Sequence, residues 1–367
     1  MNNPVDAQWF TSSMSGAPAM SGTPGTLIGV LDACLLNGFG SVTLDSLVVS
    51  GGVATATKTG HGFTDYIVAL IEGSTPSELN GKKRIAWVNA NTFTFDATGI
   101  ADQTATGTIT AKVAPVGWIK PYSGTNKAAY ARTDLAACAM LLRVDDTPAQ
   151  YPALIMYETM SAIDTGTGPA PLTDSNYFGK SGTADATARE WRLFADSRGF
   201  YLFCKSAGAY WYAALEFNDI DSYKSGDQFS TVLHASSSPS GYFTYYALGS
   251  WGLISRSYSQ DGGCVSGKCY SHAGSPSALG SNLQAYRAPT DNGFHAWPVE
   301  IWENSVARGL LAGLWNPIHV SLSLGGPPDG LIVTDIPALP GRRLMVQVLY
   351  SNSGAAAFDL TGPWRTT

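Results

Sequence analysis

Charge is scarce in this chain. Charged residues fill 14% of its 367 positions, against about 25% in an ordinary soluble domain. No dense lysine or arginine run occurs, and the formal net charge is −6. Both facts argue against a nucleic-acid partner, whose phosphates need a basic patch. Long apolar runs are missing too. Nothing approaches the roughly 20 residues that carry a helix across a bilayer, so no membrane insertion is expected. Met1–Asp6 has neither a basic nor an apolar leader segment, which points to a product made in the cytoplasm. Five cysteines are too few, and odd in number, for a disulfide scaffold.

Catalytic and metal-binding signatures are equally thin. His61, His234, His272, His295 and His319 stand singly, with no His-Glu-x-x-His and no Gly-x-Ser-x-Gly elbow. Asp219-Ile220-Asp221 lacks the twelve-residue loop that would make it a calcium site. Gly262–Cys269 fits a phosphate loop except that Cys269 replaces the magnesium-binding hydroxyl; with no strand before it and no helix after it, a glycine-rich surface turn is expected. Cys264 and Cys269 flank that turn and form a candidate disulfide if the turn brings them together. No catalytic residue, cofactor or metal is therefore assigned, and the chain reads as a non-enzyme.

What is abundant is β-forming sequence. Forty glycines and 44% hydrophobic residues, rich in Thr, Tyr and Trp, suit strands that bury surface; disorder needs the opposite composition. Between 44 and 113, Ser46–Ser50 and Val53–Lys58 flank the Gly51-Gly52 turn. Tyr66–Glu72, Lys83–Val88, Thr92–Phe95 and Thr106–Lys112 come after, separated by Asn80-Gly81 and Asn89-Ala90-Asn91. Six short strands in about seventy residues predict a small β-barrel, since an open sheet of that size leaves exposed edges. His61, in Gly60-His61-Gly62-Phe63, is expected to make a structural hydrogen bond.

One helix precedes this module. Thr23 is placed to cap it, Pro24 to open it, and Leu27, Ile28, Leu31, Cys34 and Leu35 repeat at helical spacing up to an Asn37-Gly38 stop. Nine of ten tryptophans lie outside 44–113, so the module reads as an insertion, with 23–43 belonging to the larger domain at 114–367. That domain carries strands such as Arg189–Ala195 and Gly199–Cys204 about an Asp196-Ser197-Arg198 hairpin. It is expected to be an antiparallel β-sandwich, with a long loop at 255–293. Residues 1–22 read as an extended arm whose Trp9 and Phe10 await a neighbouring subunit.

The module carries a resemblance. Gly60-His61-Gly62-Phe63, Leu79-Asn80-Gly81 and Val88–Phe95 are similar to a barrel module of bacteriophage structural proteins, itself likened to the barrel inserted in ubiquitin-activating enzymes. The resemblance covers under a fifth of the chain and implies a spacer or docking domain, not ubiquitin chemistry. Leu31–Gly40 and Phe358–Arg365 likewise resemble virion proteins of phages and prophages. The resemblance implies a virion protein made in the host cytoplasm, most naturally a tail or baseplate component in several copies. Its partners would be other virion proteins and itself. Alternatives are a receptor- or glycan-binding adhesin and a capsid decoration protein. The aromatic clusters Tyr210-Trp211-Tyr212, Tyr242-Phe243 with Tyr245-Tyr246, and Trp297 with Trp302 are candidate interface residues, or platforms for a host surface glycan.

Overall fold

The structure, a computed structural model, describes residues 5–171, 176–208, 213–235, 253–257, 264–271, 286–288, 291–319, 326–348 and 355–365. The chain is mainly β, in antiparallel sheets with one helix. β1 is Gln8–Thr11, α1 is Thr26–Leu31, and a π-helical continuation covers Asp32–Asn37. β2 (Phe39–Thr43), β3 (Ser46–Ser50), β4 (Val53–Thr57), β5 (Val68–Glu72) and β6 (Gly81–Asn89) come next. With β7 (Thr92–Asp96), β8 (Gln103–Thr104) and β9 (Thr110–Val113) they make an eight-stranded sheet in the order β2-β9-β5-β6-β7-β4-β3-β8.

The inserted module thus starts at Phe39, not at Leu44. β2 belongs to it because Phe39 pairs with Val113 and Thr43 with Thr110, bringing entry and exit strands side by side. Alternation fills its interior: Leu47, Val49, Ala54, Ala56, Phe93 and Phe95 point inward and are buried. His61 is buried among Phe63 and Phe93. The Phe63 N–H donates to its Nδ1 at 2.9 Å, so Nε2 carries the proton and donates to the Asn89 carbonyl at 2.9 Å. The expected structural role is met.

A six-stranded sheet comes after the module: β10 (Ile119–Gly124), β11 (Lys127–Ala131), β12 (Leu141–Asp145), β13 (Ala153–Ala162), β14 (Thr165–Ala170) and β15 (Asn176–Tyr177). The remaining strands extend β1. They are β16 (Trp191–Asp196), β17 (Gly199–Cys204), β18 (Ala213–Asp219), β19 (Asp221–Ser222), β20 (Thr231–His234), β21 (Leu253–Arg256) and β22 (Cys264–Ser271). β23 (Ala296–Glu303), β24 (Val306–Pro317), β25 (Ile332–Val333), β26 (Leu344–Val348) and β27 (Ala355–Asp359) complete the sheet. Its order is β1-β16-β17-β18-β20-β21-β22-β23-β24-β27-β26-β25, and β19, directly after β18, crosses to pair with β24.

That crossing folds the sheet upon itself, the sandwich-like arrangement expected. Phe194 of β16 stacks on Phe358 of β27 at 4.3 Å, and the Tyr201 hydroxyl of β17 donates to the Ala312 carbonyl of β24 at 2.8 Å. The opposite face of β17 meets Trp118, whose ring lies 5.8 Å from Phe200. Burial on both faces explains why Gly199–Cys204 is a continuous apolar run without alternation.

Three expectations are corrected. Within the expected arm at 1–22, Trp9 and Phe10 do not await a subunit: Trp9 pairs with Phe194 and Phe10 with Leu193 in β1–β16, and both side chains lie in the core. Cys264 and Cys269 sit on one extended strand, β22, rather than across a turn. Five residues at ~3.3 Å each separate their Cα atoms by roughly 16 Å, beyond the ~7 Å limit for a disulfide. The 255–293 stretch is interrupted by β22, which pairs with β21 and β23, so it is not one long loop.

Helix α1 also starts differently. Gly25 is its N-cap, in a left-handed conformation at φ 82°, and no side chain of its own segment caps it. Asp146, 119 positions on, accepts the Leu27 N–H at 2.8 Å and the Ile28 N–H at 3.3 Å. Gly38, at φ 71°, stops the helix as expected. Cys34 is buried, and burial pushes its thiol well above the ordinary range, as befits a packing residue.

Candidate functional site

Strands β23 and β24 form a long antiparallel ribbon whose alternation sorts side chains between core and surface. Val299, Ile301 and Glu303 are buried, while Pro298, Glu300 and Trp302 alternate with them on the half-buried side; Trp297, paired with Asn316, is exposed on the other face. Register then builds the outer face. Pro298 pairs with Trp315, Glu300 with Leu310 and Trp302 with Ala307, while Asp221 of β19 pairs with Leu310 from the other edge. Cross-strand partners share a face, so Pro298, Trp315, Leu310 and Asp221 are neighbours although Asp221 and Trp315 are far apart in the chain.

The C-terminal segment walls this face and leaves a cleft of about 430 Å³, with Leu339, Arg342, Asp359, Pro363 and Trp364 opposite β24. Gly313 makes the close approach possible. Its φ is +76°, and a Cβ there would stand 2.3 Å from the Trp364 ring. The Trp364 indole N–H donates to the Asp359 carbonyl at 2.8 Å, which fixes the ring. Arg342 Nη1 donates to Asp359 Oδ2 at 2.6 Å and to the Pro363 carbonyl at 3.0 Å. Burial pushes the Asp359 carboxyl up, against the lowering pull of Arg342. Behind the cleft, Arg365 is committed to Asp196, the Asn218 amide oxygen and the Asp219 carbonyl.

Beside the cleft the same face continues as an aromatic and carboxylate row. The Tyr223 hydroxyl donates to Glu300 Oε1 at 2.7 Å and the Trp302 indole N–H to Glu300 Oε2 at 3.2 Å. Tyr223 is 53% exposed, and burial together with the neighbouring Glu300 raises its phenol to about 12. Such a surface can stack on apolar ring faces and hydrogen-bond to hydroxyls.

A second surface lies on the module. Register aligns Thr104, Val48, Thr55, Thr94 and Ala86 in one uncharged row across five strands. Val48, Val53, Trp87 and Val88 are the large apolar side chains exposed there, at 37–49%.

Of the candidate aromatics, Trp297 and Trp302 both fall on β23, neither lining the cleft and only Trp302 on the face of Pro298 and Glu300. Tyr210, Trp211, Tyr212 and Tyr245 lie outside the described residues, and Trp9 and Phe10 are core. Reading the sequence missed Tyr223, Trp315, Arg342, Asp359 and Trp364. Trp315 sits in Leu310–Trp315, which reads as core, and its role depends on pairing with distant β19 and β23. Among the described residues no group of His, Cys, Asp and Glu could hold a metal ion, and no helix is long and apolar enough to cross a membrane. No protein-family model matches the chain, and no curated protein matches it.

Proposed function

We propose that the chain is a structural component of a tailed-phage particle, a tail or baseplate protein that assembles in several copies with itself and with other virion proteins. The observation that carries this reading is the outer face of the module. Its uncharged row of Thr, Val and Ala carries the exposed Val48, Val53 lies on the same face, and Trp87 and Val88 are exposed near the end of β6. Contiguous exposed apolar surface rimmed by polar residues marks association sites, and burying it is favourable in the absence of like-charge repulsion. The resemblance of Gly60–Phe63 and Val88–Phe95 to phage barrel modules supports the same assignment. The internally packed N-terminal segment takes no part in it.

Probing purified particles with an antibody against this chain, alongside sedimentation of the isolated protein, tests the reading. Tail or baseplate labelling, with association of the isolated chain at micromolar concentration, is the expected result. Absence from washed particles, together with a monomer at every concentration, would refute it.

A further inference from the structure

We infer that the cleft between the outer face of β23–β24 and the C-terminal segment is a binding site for a neutral saccharide. The inference stands independently of the assembly reading, because it concerns a different surface and a different ligand.

Shape and lining come first. A cavity of about 430 Å³ falls within the 300–1,000 Å³ of small-ligand sites, which combine apolar walls with a few placed polar groups. Here Trp315, Pro298, Leu310 and Pro363 supply the apolar walls, and Asp221 and Arg342 supply the polar groups, Asp359 being buried and committed to Arg342 and to the Thr361 and Gly362 N–H groups. A pyranose ring needs this mixture. Its axial C–H groups form an apolar face that stacks on an indole, while its equatorial hydroxyls seek carboxylate acceptors and guanidinium donors.

Charge then selects among saccharides. Asp221 and Asp359 oppose Arg342, while the Arg365 guanidinium is already spent on Asp196 and Asn218. With Arg365 counted, two carboxylates meet two guanidinium groups, so the lining has no net charge and offers nothing to offset the desolvation of uronic, sialic or phosphorylated units. For Arg342 only Nη1 is engaged among the described residues, so a guanidinium 30% exposed retains donors for hydroxyl oxygens. Its Nη1 pair with Asp359 holds it in place beforehand, which lowers the ordering cost of binding.

The row beyond the cleft extends the site. Tyr223 and Trp302 are both tied to the two oxygens of Glu300, so their rings are held on the face that leads into the cleft. Pro298 and Trp302 are four residues apart on β23, roughly 13 Å at ~3.3 Å per residue. That span fits a chain of two or more sugar units lying along the strand, with one unit seated in the cleft.

The test uses the full chain, titrated with cellotetraose, maltotetraose, chitotetraose and mannotetraose, and with tetragalacturonate as the acidic probe. Intrinsic tryptophan fluorescence and calorimetry provide the readouts. Saturable binding of at least one neutral probe is expected, with tetragalacturonate bound at least ~10-fold more weakly. Trp315→Ala should weaken the neutral probe at least ~10-fold and Trp315→Phe much less, while Trp87→Ala on the distant module leaves affinity unchanged. Should Trp315→Ala fail to fold, Arg342→Gln, at a part-exposed position, is expected to weaken binding several-fold at a temperature below its own thermal transition. The inference is overturned if no neutral probe binds below about 10 mM, if Trp315→Ala or Arg342→Gln binds as wild type does, or if tetragalacturonate binds more tightly than every neutral probe.

Discussion

Asp146 and Lys180 are both fully buried and bonded to each other, and between them they organise the start of helix α1. Asp146 takes two helix N–H groups while Lys180 donates to the Thr23 carbonyl at 2.6 Å. Removing one partner of a buried pair leaves the other uncompensated, a loss of about 3–5 kcal/mol. Asp146→Ala should therefore lower the unfolding free energy by that amount in denaturant titration, whereas Thr23→Ala should change it little. Equal effects would show that the cap is local after all. On β18, register places Glu216 between Tyr201 and His234, and burial lifts its carboxyl to about 8. An acid whose folded value is raised above the ordinary 4.5 stabilises most below that value and loses its contribution as pH rises through about 8. His234, which burial pushes down to about 4, works the other way: its contribution is present above the ordinary 6.5 and is lost as pH falls through about 4. Glu216→Gln should consequently gain stability over wild type as pH rises from 5 to 8, by up to about 1.4 kcal/mol per pH unit. Thermal melts across that range check it, and parallel curves for the two proteins would contradict it.

The module is the element most open to manipulation. Phe39 and Val113 are paired neighbours, so replacing residues 39–113 by two glycines spans the gap without distortion. The joint to the rest is still substantial. Tyr66, at φ 61°, lies between the Arg84 and Arg343 guanidinium groups, 4.6 and 4.3 Å from its ring. Its carbonyl accepts from the Trp9 indole at 3.3 Å and from Arg84 at 3.0 Å, and Lys82 reaches the Val116 carbonyl at 2.8 Å. Cation–π pairs contribute about 0.5–2 kcal/mol each. The excised protein should thus retain one cooperative transition at a clearly lower Tm. A featureless melt would mean that the module is part of a single folding unit. Tyr66→Ala in the intact chain should reproduce part of the Tm loss.

For the whole molecule, three sheets share one buried cluster running from Trp9 through the module to Phe358 and Trp364. Sites on opposite parts of that body can then be altered separately. Trp87 and Val88 are 47% and 49% exposed, so changing both to serine removes little native packing and should leave Tm within about 1–2 °C, as exposed substitutions do. The same double variant should reduce self-association and incorporation into particles several-fold. Unchanged incorporation would remove the module face as the assembling surface.

Local chemistry settled much of this molecule. Alternation in Thr92–Phe95, glycine at Gly51-Gly52 and the stop at Gly38 depend on neighbours within a few positions, so the mainly β class, the module strands and the helix end were legible from the chain alone. The hairpin at Asp196–Gly199 was legible for the same reason. Tertiary structure decided what rests on distant partners. Trp9 and Phe10 form a strand because β16 lies beside them, and Cys264 and Cys269 are drawn out straight between β21 and β23. Helix α1 is capped from position 146. The cleft exists only because β19, β23, β24 and the C-terminal segment converge on Gly313 and Trp315. Period and turn chemistry act over a few residues, whereas register and burial are fixed by contacts made a hundred or more positions away, and no local pattern encodes those.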